Sequence, residues 1–386
     1  MRSRATWILV VLVLLISQMS SQGSTAYRYA AVCNGDLFLI SANGSSKLIL
    51  SKNNERSYWY VLAISPYSGT LIAASWNGNE PLSSNLYEVN PLNGKKRYIL
   101  SGKNLHITEY PVWLNDNTCL LEICNIEGLN AAIYAANIKN GKLKQVAPAI
   151  DSEFSYDCLI LSPSKRYLAT AQTITAAGWV SVNNLTNGNQ VWCTNSAQGM
   201  HGFTGIAWSV DSKLLFASFL HDTFTPSDAP GGLWKIDALT GKRRLWKYAR
   251  QNINGIWASP NHKILALDRM GFVEYLRASD GKTLFKVATP KSGQIAGVFF
   301  SEAGRSVICG TLQVIVTDLS GKRIKAYDIR SIASDRVKYS PKRNAVMYQG
   351  GVLDLRTGSI TKFAGGEQLS WQNDWQIEWL SKDIIR

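Results

Sequence analysis

Hydrophobic and polar positions alternate along most of the chain in short runs, and each run ends at a turn signal. Residues 62–75 (LAISPYSGTLIAAS) place a Ser-Pro turn between two apolar stretches, and residues 86–100 (LYEVNPLNGKKRYIL) place an Asn-Gly turn there. Apolar positions that alternate over five or six residues are typical of half-buried β-strands. Proline fixes φ and glycine tolerates a positive φ, so both motifs favour tight turns. Each unit therefore predicts a β-hairpin.

The two kinds of hairpin repeat in alternation down the chain. One hairpin of each kind makes a four-stranded sheet with a repeat of about 40 to 50 residues, which is the range of propeller blades. Sheets of this kind bury both faces when they stack radially around an axis. The sequence therefore predicts an all-β chain folded as a β-propeller. The Ser-Pro-like unit recurs at 111–123, 159–172, 206–219, 255–268, 297–310 and 337–350, and the glycine-turn unit at 133–147, 179–193, 233–247, 272–286, 314–328 and 351–363.

The number of blades depends on the chain ends. Seven complete four-stranded blades run from residue 62 to residue 363. Residues 36–50 have the pattern of a second hairpin without a first, and residues 368–380 that of a first hairpin without a second. Pairing of these two terminal hairpins predicts an eighth blade that closes the ring. Seven blades with extra terminal strands is the alternative, because residues 368–380 lack the Ser-Pro turn.

The N-terminal segment has the pattern of an export signal. Arg2 and Arg4 precede the ten apolar residues 7–16, which are too few to span a bilayer, and small residues at Ser24 and Ala26 follow. We expect residues 1–26 to be a signal peptide and residues 27–386 to form one propeller domain, with no transmembrane span after cleavage. The expected location is secreted or periplasmic. An uncleaved anchor is the alternative.

Composition and charge leave the partner open. Without residues 1–26 the formal net charge is +12, which favours acidic partners. The lysines and arginines are scattered among turns with no nucleic-acid motif, so we expect solvated turns and no specific nucleic-acid binding. Six cysteines permit disulfides without choosing among 15 pairings, and no CxxC motif suggests zinc. The sequence predicts no cofactor, no metal site and a monomer.

The repeats resemble known propeller families. The Ser-Pro unit followed by an Asp-x-x-Thr-Gly-Lys unit resembles the WD40-like repeats of TolB-type propellers. Residues 233–247 (LWKIDALTGKRRLWK) are similar to the repeat of the eight-bladed quinoprotein dehydrogenase-like superfamily. The chain departs from quinone-dependent dehydrogenases, since it has no adjacent cysteines. The resemblance implies the fold and says little about function.

The predicted binding surface is the end of the propeller opposite the short hairpin turns. Links between hairpins and between blades are long and varied there, and long ordered loops on a rigid scaffold commonly carry function. Polar and aromatic residues fall just before innermost strands, where they would crowd the axial mouth. These candidate ligand-binding residues are Glu109, Tyr110, Tyr156, Asp157, His201, Phe203, Asn252, Asn254, Asp335 and Arg336.

The sequence is compatible with two functions. The first is an exported binding or scaffold propeller that holds a protein or other extracellular ligand without catalysing a reaction. It is motivated by the regular repeats and by the lack of nucleophile-elbow, Walker or HExxH motifs. The second is a hydrolase, lyase or lactonase with its site at the axial mouth. That alternative needs carboxylates or histidines that converge there with perturbed pKa values.

Overall fold

A computed structural model gives the architecture of the chain. It describes residues 26–33, 36–41, 46–51, 57–77, 83–103, 105–107, 111–125, 131–150, 158–174, 177–194, 203–219, 231–248, 251–289, 295–301, 303–329, 337–348, 351–362 and 376–385. Every regular element in these ranges is a β-strand.

The strands are short, and most have four to eight residues. They are β1 (Ala26–Cys33), β2 (Asp36–Ser41), β3 (Ser46–Leu50), β4 (Ser57–Ile64), β5 (Leu71–Asn77), β6 (Ser83–Val89), β7 (Lys96–Lys103), β8 (Leu105–Ile107), β9 (Val112–Asn115), β10 (Thr118–Asn125), β11 (Ala131–Asn137), β12 (Leu143–Ile150), β13 (Cys158–Leu161), β14 (Tyr167–Ile174), β15 (Ala177–Asn184), β16 (Gln190–Thr194), β17 (Phe203–Trp208), β18 (Leu214–Phe219), β19 (Gly232–Asp237), β20 (Arg243–Lys247), β21 (Gly255–Ala258), β22 (Ile264–Asp268), β23 (Phe272–Arg277), β24 (Thr283–Ala288), β25 (Ile295–Phe300), β26 (Arg305–Gly310), β27 (Gln313–Asp318), β28 (Arg323–Asp328), β29 (Lys338–Ser340), β30 (Ala345–Tyr348), β31 (Gly351–Asp354), β32 (Ile360–Lys362) and β33 (Gln376–Ile385).

These strands form antiparallel sheets that follow the chain in order. Blade 1 has the order β3-β2-β1-β33; blade 2 is β4 to β7, blade 3 is β8 to β12, blade 4 is β13 to β16, blade 5 is β17 to β20, blade 6 is β21 to β24, blade 7 is β25 to β28 and blade 8 is β29 to β32. In blade 3, β8 and β9 both pair with β10. The predicted all-β propeller of four-stranded blades is confirmed.

The chain ends share one blade, as expected, but they divide it differently from the prediction. Each of seven blades is formed by one continuous segment of the chain. The terminal strands, on which the choice between seven and eight predicted blades depended, form a further sheet. β1 pairs with β2 on one side and with β33 on the other. Among the described residues, the blade takes three strands from the N-terminal part of the chain and one from the C-terminal part, rather than the predicted two and two. The reason is that residues 26–33, assigned to no strand from the sequence, form β1.

Hydrogen bonds within the turns explain why the glycine-turn units repeat so closely. An Asn or Asp at the first turn position accepts the backbone N–H two residues on, as at Asn90 (2.9 Å to Leu92 N) and Asp237 (3.0 Å to Leu239 N). Such Asx turns preorganise the backbone before strand pairing begins. The glycine that follows has a positive φ, 70° at Gly94. The local sequence therefore determines the turn geometry.

The Ser-Pro-like turns use serine in the same way. The hydroxyl of Ser209 accepts the backbone N–H of Leu214 at 2.9 Å, and that of Ser259 accepts the N–H of Ile264 at 3.0 Å. The serine closes the turn with its own side chain, whether proline follows it or, as in blade 5, Val210 does.

Burial corrects one expectation about the strands. β18 is buried at five successive positions and β22 at four, so these middle strands are covered on both faces rather than half-buried. Hydrophobic clusters accordingly draw on successive blades. Trp208, for example, is fully buried in the cluster between blades 4 and 5. Outer strands such as β28 are largely exposed.

Successive blades are also joined at their turns. The outer strand of one blade lies against the third-to-fourth-strand turn of the next. The Lys144 ammonium donates to the Thr186 carbonyl at 2.5 Å, the Trp192 indole N–H to the Ala238 carbonyl at 2.8 Å, and the Lys325 ammonium to the Arg356 carbonyl at 2.8 Å. Lys144 and Lys325, two of the scattered basic residues, thus hold neighbouring blades together.

Candidate binding site at the loop face

The two ends of the blades differ in character. The end that carries the first-to-second-strand and third-to-fourth-strand turns is called the turn face here. The opposite end, with the second-to-third-strand loops and the links between blades, is called the loop face. First strands of successive blades lie side by side, as β17 lies beside β21 and β21 beside β25. The described first residues of these strands therefore lie near the propeller axis.

The structure describes three of the ten predicted site residues. Phe203 is the first residue of β17, and Asn252 and Asn254 lie in the link that leads into β21. The remaining predictions lie outside the described residues: Glu109, Tyr110, Tyr156, Asp157, His201, Asp335 and Arg336. In sequence, each of those seven also lies shortly before a first strand.

The link before β21 is fixed to blade 5. The hydroxyl of Thr204 donates to the Ile253 carbonyl at 2.6 Å and also contacts the Ser218 hydroxyl at 2.7 Å. Ile253 is fully buried, whereas Asn252 and Asn254 on either side of it are exposed. This alternation anchors the link by its apolar residue and presents two amide side chains at the loop face.

Asp268 lies directly behind this pair of amides. The Asn254 N–H donates to the Asp268 backbone carbonyl at 3.0 Å, and the Asn254 side chain is hydrogen-bonded to the Asp268 carboxyl. Burial raises the pKa of Asp268, and the bond from Asn254 partly offsets that rise. Asn254 is therefore exposed and also positions the Asp268 carboxyl.

Arg269 clamps the same link from the neighbouring hairpin. Its guanidinium lies 3.9 Å above the centre of the Tyr248 ring, donates to the Glu274 carboxylate at 3.2 Å and donates to the Gln251 side chain. The Glu274 carboxylate is 3% exposed and also accepts the Thr283 hydroxyl at 2.8 Å. This buried ion pair fixes the start of the link relative to β23.

The clamp was missed from the sequence. Tyr248 and Gln251 belong to the same link as Asn252, so a search for polar and aromatic residues over the whole link would have found them. Arg269 and Glu274 come from the β22–β23 hairpin and meet the link only through the fold. Burial and the nearby Glu274 carboxylate raise the pKa of Tyr248 to about 12. Its hydroxyl therefore stays protonated at physiological pH.

The tip of the β22–β23 hairpin adds an apolar group to this surface. Met270 is 74% exposed, and it follows Arg269 directly. A thioether side chain adapts its shape to a partner surface. Exposed amides that donate and accept, next to an adaptable apolar side chain on a rigid support, suit the backbone and side chains of a peptide segment.

No metal or catalytic centre accompanies these groups in the part of the chain that the structure describes. There, no three His, Cys, Asp or Glu side chains lie where they could hold one metal ion. Cys119, Cys124 and Cys309 carry thiols, and burial raises the pKa of Cys124 to about 11. None of the described elements is a helix with the length and hydropathy of a membrane span.

Comparison with known proteins identifies the fold. The C-terminal WD40 domain of Sif2 superposes with a TM-score of 0.58 and 12% identity over 79% of this chain and 84% of that one. Saccharomyces cerevisiae Sqt1 superposes with a TM-score of 0.55 and 11% identity over 83% of this chain and 90% of that one. No protein-family model and no curated protein matches the chain. The chain is similar to these structures in its WD40-type β-propeller fold alone.

Proposed function

We propose that the chain is an exported interaction scaffold of the TolB-like or quinoprotein-like kind, which holds a protein partner at its loop face. The observation that carries the proposal is the contrast between the two ends of the blades. Hydrogen bonds repeat almost unchanged in the turns of successive blades. The links at the loop face differ in sequence from blade to blade, and binding specificity is commonly found in such variable segments on a constant scaffold.

The described part of the loop face supports a peptide as the ligand. Asn252 and Asn254 are exposed on a link that Thr204 and Arg269 fix to two blades. Groups that are already fixed lose little conformational entropy on binding. A peptide laid across the axial mouth would contact this link and, in the proposal, the predicted residues of the other blades, Tyr110 and Tyr156 among them.

The test is an affinity capture from cell-envelope extract and culture medium, quantified by mass spectrometry. The bait is residues 26–386, which contain every described strand. One variant combines Asn252→Ala with Asn254→Ala, and a second combines Tyr110→Ala with Tyr156→Ala. We expect the captured amount of a partner that the unchanged bait retains to fall at least tenfold with each variant.

A matched control removes two amides elsewhere. Asn189→Ala with Gln190→Ala changes exposed residues at the start of β16, next to the turn face. This control is expected to retain the partner, and all baits must melt at similar temperatures. The loop face would be refuted as the binding surface if the control lost as much captured partner as the loop-face variants, or if neither loop-face variant changed the amount captured.

A further inference from the structure

The turn face collects positive charge that the sequence distributes over the whole chain. The residue after the turn glycine is an exposed lysine in five blades: Lys95, Lys142, Lys242, Lys282 and Lys322. Because the third-to-fourth-strand turns of all blades lie at the same end, these lysines form an arc around one face of the ring. Charges that look scattered along the chain are therefore neighbours on one surface.

The first-to-second-strand turns lie on the same surface, closer to the axis. The Lys165 ammonium reaches the Tyr67 hydroxyl at 2.6 Å, two blades away, and the Leu114 carbonyl at 3.2 Å. The backbone N–H of Ser164 donates to the Ser212 hydroxyl at 3.0 Å. These contacts between turns of different blades make the turn face one continuous surface from axis to rim.

Carboxylates on this face do not balance the positive charge. Asp237 and Asp318 lie in the turns of Lys242 and Lys322 and offset one positive charge each, whereas the neutral Asn90 and Asn137 occupy the same turn position in blades 2 and 3. Blade 3 thus has basic residues at its third-to-fourth-strand turn with no acidic residue in that turn. The lysines that join blades donate to carbonyl groups, which carry no net charge, so their charge also remains.

Apolar side chains project from the same turns. Leu92 and Leu239 occupy the same turn position in blades 2 and 5 and are 54% and 56% exposed. Val210 is 58% exposed in the first turn of blade 5 and Tyr67 is 47% exposed in the first turn of blade 2. Beside Val210 the face opens into an apolar groove of about 560 Å³. Such side chains at the tips of rigid turns are exposed to water at a free-energy cost.

We propose that the turn face docks on the surface of an anionic lipid bilayer. Lysines and arginines favour a negatively charged leaflet, and apolar side chains at the tips would enter the headgroup region, where they leave water. A nucleic acid would satisfy the charges but offers no apolar layer to Leu92, Val210 and Leu239, which is why the observations favour lipid. The inference goes beyond the scaffold function, because it places the loop face away from the membrane and open to a partner.

The test is co-sedimentation of residues 26–386 with vesicles of phosphatidylcholine and phosphatidylglycerol at a ratio of 7:3, compared with pure phosphatidylcholine. We expect binding to the anionic vesicles that weakens from 50 to 300 mM NaCl, since salt screens the attraction. Replacing Lys242, Lys282 and Lys322 by Gln should lower the partition coefficient at least tenfold. Leu92→Ser with Leu239→Ser should lower it severalfold, also at low salt.

Controls on the loop face separate docking from general stickiness. Met270→Ser with Leu312→Ser removes two exposed apolar residues from second-to-third-strand loops and should leave vesicle binding unchanged. The melting temperature of each variant establishes that it is folded. The proposal is overturned if the protein does not bind anionic vesicles, or if the loop-face control loses as much vesicle binding as the turn-face variants. It is also overturned if duplex DNA displaces the vesicles and Leu92→Ser with Leu239→Ser leaves vesicle binding unchanged. None of these results bears on the capture of a protein partner.

Discussion

Gly281→Ala tests whether the turn glycines are needed for contact between blades as well as for their backbone conformation. Gly281 has φ of +76° and is buried, and a β-carbon added there would lie 2.6 Å from the Trp246 ring of the preceding blade. The ring cannot easily move, because the Lys235 ammonium lies 3.6 Å above its centre and Phe216 packs beside it. The methyl group would therefore have to displace a blade or strain the core.

Gly304→Ala is the matched control. Gly304 has φ of +67°, but an added β-carbon meets only Leu319, at an ordinary 3.7 Å. An alanine at positive φ costs about 1–2 kcal/mol, partly offset by about 0.4–1 kcal/mol from the reduced entropy of the unfolded chain. Gly304→Ala should therefore destabilise by about 1 kcal/mol. Gly281→Ala adds the cost of overpacking, about 1–3 kcal/mol, for a total of about 2–4 kcal/mol.

Urea denaturation followed by far-ultraviolet circular dichroism measures the difference. We expect the midpoint of Gly281→Ala to lie clearly below that of Gly304→Ala. In the double variant with Trp246→Leu, the alanine should cost less than it does alone, because the smaller side chain leaves room for the methyl group. Equal midpoints for the two alanine variants would refute the argument that close approach of blades, and not backbone conformation alone, requires this glycine.

Three further predictions follow from the fold and the loop face. Arg269→Ala should lower the free energy of unfolding by about 3 kcal/mol, because it leaves the Glu274 carboxylate buried without its main partner, and Arg269→Met with Glu274→Gln should recover part of that loss in the same denaturation assay. Deletion of residues 376–386 removes β33 and exposes the edge of β1, so we expect a lower melting temperature and oligomers in size-exclusion chromatography, whereas deletion of Arg386 alone should change neither. Burial raises the pKa of Asp268, so the folded state binds the carboxyl proton more tightly than the unfolded state does. The stabilisation from this proton is fully present below about pH 3.9 and is lost as the pH rises through the pKa of Asp268 in the folded state. Asp268→Asn should therefore flatten that part of the dependence of stability on pH, and an unchanged profile between pH 3 and 7 would contradict it.

The local sequence was sufficient for the hairpins and their order. The Asn90 and Asp237 turns could be predicted because each is closed by bonds between residues two to five apart, which the sequence places next to one another. The repeat of these turns then required stacked four-stranded blades. The sequence likewise indicated that strands from the two ends share a blade. It did not reveal that β1 exists, because residues 26–33 follow an apolar segment and carry no turn signal of their own.

Only the tertiary structure decided which distant residues meet. Arg269 lies over the Tyr248 ring because the β22–β23 hairpin packs against the link that enters blade 6, and the 21-residue separation of the two residues does not predict that contact. The same holds for the lysines after the turn glycines, which are about 40 to 50 residues apart in sequence yet lie on one face. A repeat fixes the position of a residue within its blade, whereas the packing of successive blades determines which residues of different blades meet. The local geometry could therefore be predicted from the sequence, whereas the surfaces that several blades form together depend on contacts between segments far apart in the chain.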